Sequence, residues 1–306
     1  MISRIDYKGI SWVDVPSLTP EDILALTKEF ELSHFVAEEL SRPSFRPRAE
    51  NYGSHLYFIL HLPLFDPEGR SHRARELDIV VGKKFLITVH QEPIEPMAEF
   101  FKHCELNLAL RERCFSVSGS TDTLLYLLWK KLYDHLLAEI DFLQKKIDQI
   151  EERIFTGQEK KLIEDISYLR RDVLDFSRAV RPHDSLLESF AEIGPDFFGN
   201  SFKRLIPELA AQYRRLSNLL LNNKDTLETL YDTTNSLITH RSSEIIKAFT
   251  MLALLTFPLT LIATVFSIDA VSRPIVGQPN DFWVIIGIMA GVVAVMVAFF
   301  KYRRWI

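Results

Sequence analysis

Two uninterrupted apolar runs close the chain. Ala248 to Ile268 is 21 residues without a charge, AFTMLALLTFPLTLIATVFSI, and Phe282 to Phe300 is 19 more, FWVIIGIMAGVVAVMVAFF. About 20 apolar residues span a bilayer as a helix, so each run predicts a transmembrane helix. Only 13 residues, Asp269 to Asp281, separate them, which predicts a hairpin with a short outer turn. Upstream the pattern becomes amphipathic. Thr121–Thr156 and Glu159–Ile193 place apolar residues at helical spacing among dense charges, with turns at Gly157 and across Gly194–Asn200. Ser201 is a cap for a third helix beginning near Phe202. After Pro207 no Gly or Pro occurs until Pro258, so this helix is expected to run on into the first apolar run. At 1.5 Å per residue that is roughly 100 Å of helix.

The first 120 residues read as mixed α/β instead. Gly9–Val15 (GISWVDV), Tyr57–Leu62, Leu77–Val81 and Lys84–His90 (KFLITVH) read as strands, the last after a Gly82-Lys83 turn. Thr19-Pro20-Glu21-Asp22 is a helix start: a capping Thr, Pro in the first turn, then acids favoured by the helix dipole. That helix runs toward Phe30, and Glu95–Cys104 is helical again. Residues 1–15 lack a continuous apolar core and read as a strand pair, not as a signal peptide. The expected fold is an α+β cytoplasmic domain with a mixed sheet, then long stalk helices, then a two-helix transmembrane hairpin. The expected segments are 1–120 (α/β domain), 121–200 (long antiparallel helices), 201–247 (stalk), 248–268 (first span), 269–281 (outer loop), 282–300 (second span) and 301–306 (basic tail).

Charge orients the hairpin. Arg241 and Lys247 precede the first span, Lys301, Arg303 and Arg304 follow the second, and the loop holds only Arg273. Positive charge stays inside. The expected topology is therefore multi-pass in the plasma (inner) membrane with both termini cytoplasmic, and Tyr302 and Trp305 anchoring the inner interface. Residues 245–306 carry five basic side chains against Asp269 and Asp281, so they net +3; with −5 overall, residues 1–244 carry −8. A domain that acidic excludes nucleic acid as a natural partner. The overall 47% hydrophobic and 25% charged residues exclude a disordered or collagen-like chain. Cys104 and Cys114 make neither a disulfide framework nor a zinc ribbon. No G-x-G-x-x-G, Walker A, H-E-x-x-H or CxxC motif occurs, so no catalytic residue, no cofactor and no enzyme reading is assigned.

A polar row follows the third helix. Asn222, Thr226, Thr229, Thr233, Ser236, His240 and Ser243 recur every three or four residues, and the row continues through Lys247, Thr250, Ala253, Phe257, Thr260, Thr264 and Ser267. This is the seam spacing of a helix bundle. Leu216, Leu220, Leu227, Leu230 and Leu237 lie beside it. Small hydroxyl and amide groups face confined water or hydrated ions at low desolvation cost. The alternative is that each hydroxyl bonds its own backbone four residues back, as in any membrane helix. Phe257 on the seam is a candidate apolar constriction. Gly287, Ala290, Gly291, Ala294 and Ala298 give the second span a small-residue face for close helix packing.

Nearly the whole chain resembles the CorA family of divalent-cation transporters. The resemblance rests on GISWVDV with TPEDILALTKEFEL, on RPRAENYGSHLYFILHLP and RELDIVVGKKFLITVHQEP, and on EIIKAFTMLALLTFPLTLIATVF with its Pro258-Leu259-Thr260. It implies a homopentameric funnel in the lipid bilayer, with five first spans lining the pore and Mg2+, or in some members Zn2+, Co2+ or Ni2+, as the transported ion. It puts Ser243, Ile246, Phe249, Ala253, Phe257, Thr260 and Thr264 at pore-lining positions; Ser267 extends the set along the polar row. Mg2+ between carboxylates of neighbouring copies is a candidate regulatory ligand whose residues the sequence does not identify. One departure is large. The family's Gly-Met-Asn signature, usually after Tyr, is replaced by Phe266-Ser267-Ile268-Asp269. A Ser where the family glycine turns with positive φ is expected to cost about 1 kcal/mol and to change the mouth's backbone. Asp269 takes the place of the signature Asn and is the candidate outer-mouth cation site. Two other readings stay open: a Zn2+, Co2+ or Ni2+ transporter on the same scaffold, and a non-conducting membrane sensor or scaffold.

Overall fold

The computed structural model describes residues 2–44, 46–65, 72–115, 120–154, 159–199, 202–269, 275–277 and 279–303. Gly157, Ser201, Arg273, Arg304 and Trp305, and the turn, cap, charge and anchor roles expected of them, lie outside those residues. The chain divides into two compact units, Met1–Tyr231 and Asp232–Ile306.

The first unit is built on a mixed sheet. Strand β1 (Ser3–Tyr7) turns back into β2 (Ile10–Pro16) through Lys8 and Gly9, whose φ values of 50° and 78° suit a two-residue hairpin. Strands β3 (Arg48–Asn51), β4 (His55–Phe65), β5 (His72–Gly82) and β6 (Phe85–His90) complete the order β1-β2-β6-β5-β4-β3. Among the described residues, only β2 and β6 pair in parallel; the other pairs are antiparallel. Gly82 at the β5–β6 turn makes room for the Phe85 ring, which a Cβ there would displace.

Strand alternation gives the sheet two apolar faces. Val13, Val15, Tyr57, Ile59, Val80, Ile87 and Val89 pack with Leu26 of α1 (Pro20–Phe30) and Val36 of α2 (His34–Glu39). Helix α1 opens with the expected capping Thr19, and Asp22 completes a capping box in which the two bond each other's backbone. On the other face Trp12 meets Phe100 and Phe101 of α3 (Glu95–Leu106), and Phe58 meets Trp129 of α5 (Asp122–Arg153) and Phe190 of α7 (His183–Phe198). A short α4 (Leu108–Phe115) follows α3.

The long helices differ from the sequence reading at two places. The expected helix Glu159–Ile193 is two helices, α6 (Glu159–Val180) and α7, broken at Arg181-Pro182. Pro182 has no N–H to give and disfavours helical geometry in the residue before it. Conversely Gly194 and Pro195 do not stop α7, which runs to Phe198 and ends at Gly199 with φ 92°. A 3-10 turn (Phe202–Arg204) leads into α8 (Ile206–Ser267), which tolerates Pro207 in its first turn and passes through Pro258. Helix α9 (Asp281–Tyr302) carries the second apolar run. Both α8 and α9 are long and apolar enough to cross a membrane.

Candidate functional site

The candidate pore residues Ser243, Ile246, Phe249, Ala253, Phe257, Thr260, Thr264 and Ser267 all lie on α8, and all are exposed in the single chain. At 3.6 residues per turn, those from Ile246 to Ser267 fall within about 80° of the helix circumference. The opposite face, Met251, Leu255, Leu259, Ile262 and Phe266, is partly covered. The candidate face is therefore among those that this chain leaves open, together with Leu252, Leu254, Leu261 and Val265 beside it. Large side chains share the exposure: Phe249 is 68% and Phe257 73% exposed.

The hydroxyls along this face have one geometry. Thr250 donates to the Ile246 carbonyl at 2.8 Å, Thr260 to Thr256 at 3.0 Å, Thr264 to Thr260 at 2.8 Å and Ser267 to Ala263 at 2.7 Å. Lower on α8, Thr229, Ser236 and Ser243 bond back to Asp225, Asp232 and Thr239 in the same way. The backbone bonding that the sequence reading weighed against a seam is thus present. It does not remove the seam, because each oxygen keeps its lone pairs for an acceptor role. Thr256, absent from the sequence-derived row, belongs to the ladder: it donates to Leu252 at 3.0 Å and its carbonyl receives Thr260. A strict 3.5-residue count steps from Ala253 to Phe257 and passes over it, whereas the four-residue spacing of Thr256, Thr260 and Thr264 was visible.

Two positions separate the periodic row from the set implied by the resemblance. Lys247 of the row is half-buried and lies 3.7 Å from Glu244, so a neighbouring carboxylate offsets its charge. Ile246 of the other set is 64% exposed. The end of α8 is regular. Ser267 is its last helical residue, and the Ile268 N–H donates to the Val265 carbonyl at 3.3 Å. None of Phe266, Ser267, Ile268 and Asp269 has positive φ, so the strain expected from losing the glycine does not arise. Ile268 and Asp269 are exposed beyond the helix. At the loop's other end, Asp281 accepts the Gly277 N–H at 2.9 Å and the Phe282 N–H at 2.6 Å. Among the described residues, no group of three or more His, Cys, Asp and Glu side chains converges as a metal cage within one chain.

With this geometry in view, likeness to known proteins becomes informative. The profile of the family described as CorA-like Mg2+ transporter protein matches residues 7–303. The chain is 23% identical over 310 residues to the putative metal ion transporter YfjQ of Bacillus subtilis, covering 99% of this chain and 93% of that one. It is 21% identical over 313 residues to the cobalt/magnesium transport protein CorA of Thermotoga maritima, covering 98% and 85%. The complete structure of the CorA magnesium transporter from Methanocaldococcus jannaschii superposes with a TM-score of 0.85 at 19% identity, over 100% of this chain and 94% of that one. The structure of the full-length CmaX protein gives 0.77 at 18% identity, over 97% and 89%. At such identities the structural likeness speaks for the fold.

Proposed function

Since the chain belongs to the family of CorA-like Mg2+ transporter proteins, we propose that it conducts hydrated divalent cations, Mg2+ foremost, passively through a pore lined by α8. The assembly in this reading is a homopentamer in the plasma membrane, with both termini cytoplasmic and Ser243 to Ser267 turned toward the axis.

The hydroxyl ladder carries the reading. Each O–H from Thr250 to Ser267 is spent on its own helix, so the oxygens offer only lone pairs to whatever lies outside. A row of acceptors suits the hydrogens of a cation's water shell and gives nothing to an anion. Mg2+ gives up its water reluctantly and prefers oxygen, and the face has no thiolate or imidazole to favour a softer metal once dehydrated. The exposed apolar side chains of α8 and α9 supply the second support. A single chain leaves them in water, whereas lipid and sister helices bury them.

The test is flux into liposomes holding the purified protein, with Mg2+, Co2+, Ni2+ and Zn2+ compared at equal concentration. Uptake of Mg2+ supports the reading, and uptake of Zn2+ alone replaces it with the Zn2+ alternative. The altered Phe266-Ser267-Ile268-Asp269 segment favours the non-conducting alternative, in which no cation crosses.

A further inference from the structure

The fold brings the chain's only two cysteines into contact. Cys104 lies in the last turn of α3 and Cys114 in the last turn of α4, and their Sγ atoms are 3.6 Å apart. Both side chains are fully buried. The contact follows from the corner between the helices. One residue, Asn107, joins them. Its N–H donates to the His103 carbonyl at 2.9 Å and closes α3, while its side-chain oxygen accepts the Leu110 N–H at 3.1 Å and opens α4. Arg111 reaches back from α4: Nε donates to the Cys104 carbonyl at 2.8 Å, and Nη2 donates to the Glu105 carbonyl. An arginine on the last carbonyls of a helix holds that turn in place.

Helix α4 is thinly anchored. Phe115 meets the Tyr7 ring of β1 edge-on at 6.1 Å, and the Tyr7 hydroxyl donates to Glu112 at 3.2 Å. Only Cys114 and Phe115 of α4 are buried. A short helix held by so few buried side chains opens locally at low cost, which gives a small molecule access to a sulfur that the closed form covers. The two thiols are not equivalent. The hydrogen bond from Cys104 draws the Cys114 thiol below its ordinary value, and the Arg113 charge adds to this. The same bond, and then burial, push Cys104 up. The thiolate is the attacking form in thiol–disulfide exchange, so Cys114 attacks and Cys104 resolves.

We propose that Cys104 and Cys114 form a reversible redox site, oxidised by a low-molecular-weight disulfide of the glutathione class to a disulfide that ties α3 to α4. In the first step the Cys114 thiolate attacks one sulfur of the small disulfide, whose S–S bond breaks and whose other half leaves as a thiolate. In the second, Cys104 gives up its proton and attacks Cys114 Sγ, expelling the second small thiolate. The two protein thiols lose two electrons and two protons, and the small disulfide takes them up as two thiols. A disulfide bond is about 2.05 Å long, so the sulfurs close by about 1.5 Å, a distance that side-chain rotation and a small shift of α4 supply. The site lies within the first unit and stands whether or not α8 lines a pore.

The test equilibrates the full-length protein in detergent with glutathione buffers of graded oxidised-to-reduced ratio, quenches with acid, alkylates the free thiols and maps tryptic peptides without reduction. Lys102, Arg111, Arg113 and Lys130 put the cysteines in separate peptides, 103–111 and 114–130, so a linked pair reports the bond directly. The same titration in urea, with Trp fluorescence showing the first unit unfolded, removes the helix corner and leaves only the 104–114 segment. Half-oxidation of the native protein is expected at a ratio about 10-fold lower than in urea, because the fold already holds the two sulfurs together. Half-oxidation at an equal or higher ratio in the native protein overturns the proposal. So does a native protein that stops at the mixed disulfide with glutathione, or one that links two chains instead of its own two peptides. The comparison uses the wild-type chain throughout, so it depends on no variant that has to fold.

Discussion

The Thr264 hydroxyl donates to the Thr260 carbonyl at 2.8 Å, and the Thr260 hydroxyl donates in turn to Thr256 at 3.0 Å. Each bond fixes a side-chain rotamer, so the oxygens stand in register one turn apart instead of sampling several directions. In the proposed pore, that order lets a water shell pass from one ring of oxygens to the next. Thr264→Val keeps the branched shape and removes the acceptor. It is expected to lower Mg2+ flux in liposomes ~3- to 10-fold, the scale of about 1 kcal/mol for one lost hydrogen bond. Thr264→Ser, which keeps the oxygen, is expected to conduct close to wild type. Equal flux through the Val variant would mean that the ladder faces lipid or another helix.

Topology is testable by labelling. Cys104 and Cys114 are buried, so the native chain gives a low background to an impermeant thiol reagent. In intact cells Gln278→Cys is expected to react from outside and Ile306→Cys only after permeabilisation. The basis is the basic flanks Arg241, Lys247, Lys301, Arg303 and Arg304 against a loop holding Arg273 alone. The reverse labelling pattern would invert the hairpin.

Much of this architecture is legible in the sequence because its signals are local. The Thr19–Asp22 box needs only four residues, and the apolar runs need only composition. Other features depend on partners distant in the chain. Strand β3 is four residues, RAEN, with no apolar alternation, and exists because β4 offers it an edge. Pro63 argues against extending β4, yet β4 continues past it: β3 pairs with Leu56–Ile59, so at Pro63 the strand is an edge on that side, where Pro is tolerated. The break at Pro182 was visible as a residue, but the strong apolar period on both sides concealed it. Asp78 reads as one more strand acid until the segment after α2 and the end of β6 close a cavity beside it.

His183 makes the acid stability of the first unit predictable. It is fully buried, its Nε2 meets the His61 carbonyl at 3.1 Å and its Nδ1 the Tyr133 hydroxyl at 3.2 Å. A carbonyl only accepts, so Nε2 carries the proton and Nδ1 accepts from Tyr133. Burial holds the imidazole pKa down to about 4. Below the ordinary value of about 6.5 the unfolded chain takes up a proton that the native chain refuses. Stability from this group is therefore complete above about 6.5 and falls as the pH drops toward 4, by up to ~3 kcal/mol. His183→Gln does not titrate. Urea unfolding followed by Trp fluorescence at pH 7.5 and pH 4.5 is expected to show a smaller acid loss in the variant than in wild type, titrations elsewhere cancelling in the difference. An identical acid loss would mean that His183 is protonated in the native state.

Asp269 is the first charge after the apolar run of α8, two residues beyond its last helical residue, and it is exposed. It stands where the resemblance expects the signature Asn. Asp281, the loop's other carboxylate, accepts the Gly277 and Phe282 N–H groups at the start of α9. In a five-fold assembly Asp269 forms a ring of up to five negative charges, which concentrates cations and repels anions. A carboxylate accepts hydrogen bonds from an ion's water shell as an amide carbonyl does, with a full charge added. Such a ring acts on local concentration, so its effect is largest when the bulk ion is scarce and fades as the pore saturates. Asp269→Ala is expected to lower Mg2+ flux severalfold at low external Mg2+ and little at saturation. Asp269→Asn restores the acceptor without the charge and is expected to recover part of the loss. Raised salt screens the ring and is expected to narrow the gap between wild type and Asp269→Ala. If both variants match wild type at low Mg2+, cations reach the pore by a route that does not involve Asp269.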